Sequence, residues 1–202
     1  MRSLADRLKK YSLAEIIRLI FYIIHTKLIL PNARLIRFPI DIRGKKNIEF
    51  GSNLTTGYNC RLETYSANKI KVLKIGKNVQ INDFVHIVAS KSVVIGDNVL
   101  IASKVFISDA LHGSYKGDAF DSDPLIPPIN RSLSASPVFI DENVWIGEFV
   151  SVLPGVKIGK SSIIGSNSVV TKNIPDFSIA VGNPARVIKK YNFNTKRWEA
   201  IF

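Results

Sequence analysis

The sequence predicts an all-β chain wound as a coil of six-residue strands, and three observations predict it. An aliphatic residue recurs at every sixth position through Ile140, Ile146, Val152, Ile158, Ile164 and Val170, and in two shorter series, Ile75, Ile81, Ile87 and Ile95, Ile101, Ile107. Small or turn-forming residues follow many of those positions, with Gly at 147, 159 and 165. The 202 residues are 46% hydrophobic and 22% charged, the balance of a folded chain with enough apolar mass for a core. A period of six fits neither the 3.6-residue turn of a helix nor a meander of hairpins. It fits a triangular coil in which each hexapeptide is a short strand, with one large aliphatic side chain inward and a small residue at the corner. Three hexapeptides complete a turn, and neighbouring turns stack at the ~4.8 Å spacing of paired strands.

Residues 1–47 form a first segment of different character. It carries a net charge of +8 of the chain's +12, and it holds the most apolar stretch, Leu13 to Leu30. Ser12 followed by Glu15 is a capping box, so a helix is expected from Leu13 toward Lys27. Arg18, His25 and Lys27 interrupt the stretch, and its longest uncharged apolar run, Leu19 to Ile24, is far short of the ~20 residues of a membrane span. Pro31-Asn32-Ala33-Arg34 offers no small-x-small cleavage site, and the expected location is the cytoplasm. Two roles fit the segment: a helix packed over the open end of the coil, or a basic amphipathic anchor on an anionic membrane face, peripheral to the cytoplasmic membrane. The coil itself is expected over 48–190 and a short tail or helix, with Trp198, over 191–202.

Several classes fall away. A single cysteine, Cys60, excludes an internal disulfide and any cysteine-built metal centre. No glycine-rich phosphate loop or dinucleotide fingerprint is present. A pI near 9.9 calls for an anionic partner, but no zinc-finger spacing, recognition helix or aromatic strand signature points to nucleic acid.

The runs Val144-Trp145-Ile146-Gly147, Leu153-Pro154-Gly155-Val156, Val169-Val170-Thr171-Lys172 and Gly182 to Lys189 resemble the hexapeptide-repeat acyltransferases. Val79-Gln80-Ile81-Asn82-Asp83, Phe106-Ile107-Ser108-Asp109 and His112-Gly113 are most similar to the branch that O-acetylates bacterial surface polysaccharides, lipopolysaccharide O-antigen included. The resemblance implies a left-handed parallel β-helix with an N-terminal helical segment, an exception to the usual right-handed crossover. It also implies a homotrimer, acetyl-CoA as co-substrate and a glycan acceptor, whether lipid-linked, nucleotide-linked or small.

The period breaks between Ile107 and Ile140, and a loop over about 109–137, rich in Ser, Asp and Pro, opens beside His112. A loop this long in a regular coil usually has a task. By resemblance His112 is the general base that takes the acceptor's hydroxyl proton, work that suits an imidazole near neutral pH. Asn82, 30 residues earlier, stands where the family places the thioester or its oxyanion; otherwise it is a corner residue. Asp109 either orients the imidazole and meets substrate or caps a turn, and Arg131 is a candidate acceptor contact. Ala110 stands where many relatives have a second His.

The resemblance places the CoA arm past Trp145, Glu148, Ser166, Thr171 and Lys172, ending at Lys189, along one continuous groove, with cationic donors for its phosphates. Trp145 as a subunit contact and Lys189 as a tail charge are the plainer readings. His86 reads as an outward surface or subunit residue and His25 as part of the N-terminal helix. A three-histidine zinc site is therefore not expected. The expected activity is acetyl transfer from acetyl-CoA to a sugar hydroxyl, by direct attack without a covalent intermediate on Cys60. Acetylation of a small sugar or xenobiotic, and a non-catalytic scaffold of membrane glycan assembly, are the alternatives.

Overall fold

In the computed structural model, which describes residues 11–66 and 70–201, the capping box closes as the sequence predicts. The Glu15 amide donates to Ser12 Oγ at 3.3 Å and the Ser12 amide donates to Glu15 Oε2 at 2.7 Å, opening helix α1 (Leu13–Ile29). The basic residues Arg2, Arg7, Lys9 and Lys10 lie outside the described residues. Helix α1 buries only Tyr22 and Thr26. Thr26 Oγ1 accepts the Ile36 amide at 2.8 Å and so ties the helix to the first strand of the coil. Leu13, Ile17, Ile20, Ile24 and Leu28 are each more than half exposed, so the helix rests on the coil along a narrow stripe and leaves an apolar face outward.

The coil is a left-handed parallel β-helix of triangular section. Its first face stacks Leu35–Ile36, Thr55–Thr56, Gln80–Ile81, Leu100–Ile101, Trp145–Ile146, Ile163–Ile164 and Ser178–Val181. The second stacks Ile40–Arg43, Cys60–Thr64, His86–Ala89, Phe106–Ser108, Ser151–Val152 and Val169–Val170. The third stacks Ile48–Phe50, Leu73–Ile75, Val93–Ile95, Val138–Ile140 and Lys157–Ile158, with Ile174 bridging to Ile158. Every residue of the six-residue series points inward, none more than 2% exposed. Each large aliphatic side chain so buried contributes roughly 1.5–3 kcal/mol, which makes the ladder the main source of stability.

Two of the three corners hold non-glycine residues in a left-handed backbone. Asn53, Asn78, Asn98 and Asn143 hold φ of 61°, 57°, 59° and 57° between the third face and the first, a conformation Asn tolerates better than most residues. Their amides form a ladder, Nδ2 to Oδ1, at 3.1, 3.0 and 3.2 Å. Near the C-terminal end small residues replace the aliphatics inside, and buried Ser162 and Ser168 donate to the carbonyls of Pro175 and Gly165 at 2.8 and 2.6 Å.

Two boundaries differ from the sequence reading. The coil begins at Leu35 rather than at 48, because the strands Leu35–Ile36 and Ile40–Arg43 already pair in parallel with the next turn; Pro31, Pro39 and Gly44 hide the period there. Residues 191–201 are neither helix nor free tail. Arg186–Asn192 runs antiparallel to Ser178–Val181 and to Arg197–Ala200, and Tyr191 meets Trp198 edge to face at 5.3 Å. The hairpin thereby adds antiparallel strands to the end of the first face.

Candidate active site

The break in the period is an arm rather than an irregular loop. Ala110–His112 pairs antiparallel with Leu133–Ala135, with His112 opposite Leu133, and the chain leaves and rejoins the coil at one edge, between the second and third faces. The His112 carbonyl accepts the Tyr115 hydroxyl at 2.5 Å, and that hydroxyl accepts Arg131 Nη1 at 2.7 Å. The main chain that carries His112 is thus fixed from within the arm. The exposed His112 ring makes no hydrogen bond to the protein among the described residues, and it lines a cleft of about 460 Å³ between the arm and the second face. That volume lies in the range of small-molecule sites.

Two sequence assignments change here. Asp109 is fully buried, and its carboxylate accepts the amides of Ser90, Lys91 and Ser92 at 2.8, 2.7 and 2.6 Å. It caps the corner from which the arm departs, and with both oxygens committed it neither orients His112 nor meets substrate. Arg131 spends its guanidinium on the arm, donating to the carbonyls of Ile126 and Pro124 at 2.8 and 3.0 Å as well as to Tyr115. It orders the arm instead of reaching toward an acceptor.

The same cleft holds a cluster that sequence reasoning missed. Glu63 projects outward from the second face yet is 1% exposed, because its partners cover it. Tyr65 Oη donates to Oε2 at 2.6 Å, Arg43 Nη1 lies 3.3 Å from Oε2, His86 Nε2 lies 2.7 Å from Oε1, and Arg61 forms an ion pair with Oε1. Burial pushes the Glu63 carboxyl upward, but the donors Tyr65, Arg61 and His86 outweigh it and hold the group down at about 2. His86 therefore does not read as a bare surface residue: it lines the cleft with His112, its ring 5.4 Å from Phe106. The signal was a register. Arg61 pairs with His86 and Glu63 with Val88 across neighbouring turns, but the extra residues between Thr64 and Val72 make that spacing unreadable without the coil.

Asn82 lies at the opposite edge of the second face, in the corner before His86–Ala89, and does not line the His112 cleft. A four-residue strand spans on the order of 13 Å, too far for one thioester to touch both. Gln80 Nε2 donates to Asn82 Oδ1 at 3.0 Å, which leaves the Asn82 amide N–H groups as the free ends. Cys60 lies beneath, its Sγ 3.0 Å from the Asn82 carbonyl, and burial pushes its thiol up to about 11. A thiol so buried and so weakly acidic is no nucleophile.

The residues expected along one continuous groove separate into sets. Glu148 and Ser166 fall in the same corner as Asn82 but one register position on, in line with Asp83, with half-exposed Trp145 just before it on the first face. Thr171 and Lys172 are exposed at the other edge, the one that bears the arm, and Lys189 sits on the closing hairpin opposite Ile179. Each edge thus carries part of the set. No group of three or more His, Cys, Asp or Glu side chains suited to a metal occurs among the described residues. His25 packs its ring 4.0 Å from Phe38. No described helix is long and apolar enough to cross a membrane.

A coil of hexapeptides that carries a histidine on an excursion from one edge defines a class, and comparison with known proteins agrees. Residues 137–172 match the bacterial transferase hexapeptide family of six repeats. The chain is 47% identical over 191 residues to an Escherichia coli protein named as a lipopolysaccharide biosynthesis O-acetyl transferase, WbbJ, covering 95% of this chain and 96% of that one. It is 34% identical to the galactoside O-acetyltransferase of Escherichia coli over 79% of this chain and 75% of the relative. Among solved structures, a hexapeptide-repeat acetyltransferase of Vibrio cholerae in complex with acetyl coenzyme A superposes with a TM-score of 0.53 at 26% identity, over 93% of this chain and 85% of that one. An N-acyltransferase of Bacillus cereus shares the fold with a TM-score of 0.65 at 23% identity, over 92% and 91% of the two chains. The chain belongs to the hexapeptide-repeat acetyltransferases.

Proposed function

We propose that the protein transfers the acetyl group of acetyl-CoA to a sugar hydroxyl of a bacterial surface polysaccharide of the O-antigen type. The observation that carries this reading is His112, held by its main chain at the mouth of a sugar-sized cleft, in a chain with 47% identity to a lipopolysaccharide O-acetyl transferase. His112 takes the hydroxyl proton as the oxygen attacks the thioester carbonyl. The Asn82 amide donates to the oxyanion, the carbon–sulfur bond breaks, and the imidazolium returns its proton to the departing thiolate.

Because Asn82, Glu148 and Ser166 occupy one edge and His112, Thr171 and Lys172 another, the complete site forms between two chains of a homotrimer. CoA lies in the seam, its phosphates near Lys172 and Lys189. The exposed face of α1, with Arg18 and Lys27 at its flanks, rests on an anionic membrane and brings the enzyme to a lipid-linked acceptor at the inner face of the cytoplasmic membrane. The 34% identity to a galactoside O-acetyltransferase supports a second reading, a small sugar as acceptor.

Calorimetric titration with acetyl-CoA tests the core of the proposal without knowledge of the acceptor. One site per chain, weakened by Lys172→Ala and Lys189→Ala, is the expected result. No heat at millimolar acetyl-CoA, with the protein folded, refutes it and favours a scaffold.

A further inference from the structure

The cleft beside His112 contains a second imidazole that the transfer chemistry above does not use. The His86 ring is held at one nitrogen, Nε2, 2.7 Å from Glu63 Oε1. Glu63 is an ionised carboxylate with four partners, and a carboxylate in that state only accepts. The proton between them must therefore sit on His86 Nε2; in the neutral ring Nδ1 then keeps its lone pair, and it has no protein partner among the described residues. A carboxylate fixing the tautomer and direction of an imidazole is the usual device for presenting the other ring nitrogen to a ligand. Glu63 already has two guanidinium partners, Arg43 and Arg61. The arrangement suits His86 to accept a hydrogen bond and leaves proton removal to His112. Around it the cleft is amphipathic: Phe106, Val88, Ile129 and Leu133 offer apolar walls, Arg61 offers donors, and the Tyr65 hydroxyl, whose proton is held by Glu63, offers an acceptor.

We propose that His86 Nδ1 is an acceptor-binding group that takes a hydrogen bond from a second hydroxyl of the sugar, beside the hydroxyl to be acetylated, with the Phe106 ring against the sugar's apolar face. Glu63 is the positioning residue that fixes the His86 tautomer. The inference rests on the reading of the cleft as a sugar site. It adds a requirement: the acceptor is a polyol unit with a second hydroxyl within reach, and an isolated alcohol is a poor substrate.

The test is steady-state transfer from acetyl-CoA to methyl glycosides of galactose, glucose and rhamnose. With any glycoside that the wild type acetylates, His86→Ala raises the acceptor KM about tenfold or more, the effect of one lost directed hydrogen bond, while kcat and the KM for acetyl-CoA stay within about threefold. His86→Gln recovers most of the affinity, because its amide N–H can reach Glu63 and its carbonyl can stand in for Nδ1. A fall in kcat of about 100-fold or more in both variants at unchanged acceptor KM overturns the proposal and makes His86 a base. An unchanged KM in His86→Ala also overturns it. Nitrogen-15 NMR of the wild type needs no substitution: Nε2 stays protonated, and the Nδ1 resonance of His86 moves when sugar is added and stays put in Glu63→Gln. An unmoved Nδ1 resonance at saturating sugar refutes the contact. If the wild type binds acetyl-CoA but acetylates none of the glycosides, the sugar-site reading of the cleft fails, and the role of His86 fails with it.

Discussion

Acid should find Glu63 before most of the molecule. Its carboxylate is 1% exposed and engages Tyr65, Arg43, Arg61 and His86. The folded state holds it at about 2 against an ordinary 4.5. At 1.36 kcal/mol per unit, that difference is worth about 3 kcal/mol, and the half-exposed Arg43 and Arg61 reduce it through solvent screening to roughly 2–3. The sign follows from linkage: a depressed carboxyl stabilises fully above its unfolded value, and the contribution is lost as pH falls from about 4.5 through about 2. Urea unfolding of the wild type and of Glu63→Gln at fixed protein concentration, at pH 7, 4 and 2.5, measures it. The stability gap between the two proteins should be widest at pH 7 and close by most of those 2–3 kcal/mol at pH 2.5. A gap that stays constant with pH would refute the assignment of an ionised, stabilising Glu63.

Other consequences are open to direct measurement. His112→Ala should lower kcat by at least ~100-fold with acetyl-CoA binding retained, as calorimetry beside a transfer assay would show; near-normal turnover removes it as the base. Asn98→Ala breaks two links of the amide ladder and places a Cβ-bearing residue at φ 59°. Denaturant unfolding should show a loss of roughly 1–2 kcal/mol, and none if the ladder is incidental. Cys60, with its thiol pushed up to about 11, should resist thiol-specific reagents at pH 8 until the protein unfolds. Ile20→Asp with Ile24→Asp, both on the exposed face of α1, should release the protein from anionic vesicles at unchanged melting temperature, and equal sedimentation with the vesicles would exclude the membrane role of that face.

The coil was legible because its physics is one-dimensional. A side chain inside a three-sided prism meets only the residues one turn above and below, so the requirement repeats every six positions and leaves a series such as Ile140 to Val170. The position of His112 on the arm was legible because it stands where that series stops. Glu63 and His86 were not, since outward positions carry no periodic demand and their partnership depends on which turn lies beside which. The register from Arg61 to His86 spans 25 residues where that from His86 to Phe106 spans 20, so no fixed count brings the pair together. Asp109 misled for another reason. Beside a candidate base an acidic residue suggests an orienting partner, but three successive backbone N–H groups at Ser90, Lys91 and Ser92 claim its oxygens, a demand of the main chain that side-chain sequence does not display. The closing hairpin was missed because Phe177, Tyr191, Phe193 and Trp198 form a cross-strand aromatic cluster whose members are polar-flanked in sequence and meet only once the chain reverses.

The division of the proposed site between two edges gives the prism a functional logic. A β-helix grows by stacking, so any column of residues along an edge is straight and rigid, and the corner that holds Asn82, Glu148 and Ser166 can follow an extended ligand without a loop to order. A straight edge alone cannot enclose an acceptor, and the arm supplies concavity by leaving the opposite edge and folding back over the second face. One chain then owns a rail at one edge and a clamp at the other. Identical chains that meet rail to clamp form a head-to-tail interface, which repeats without end unless the rotation closes it. A triangular section, whose edges are related by about 120°, matches the three-fold closure of the proposed homotrimer.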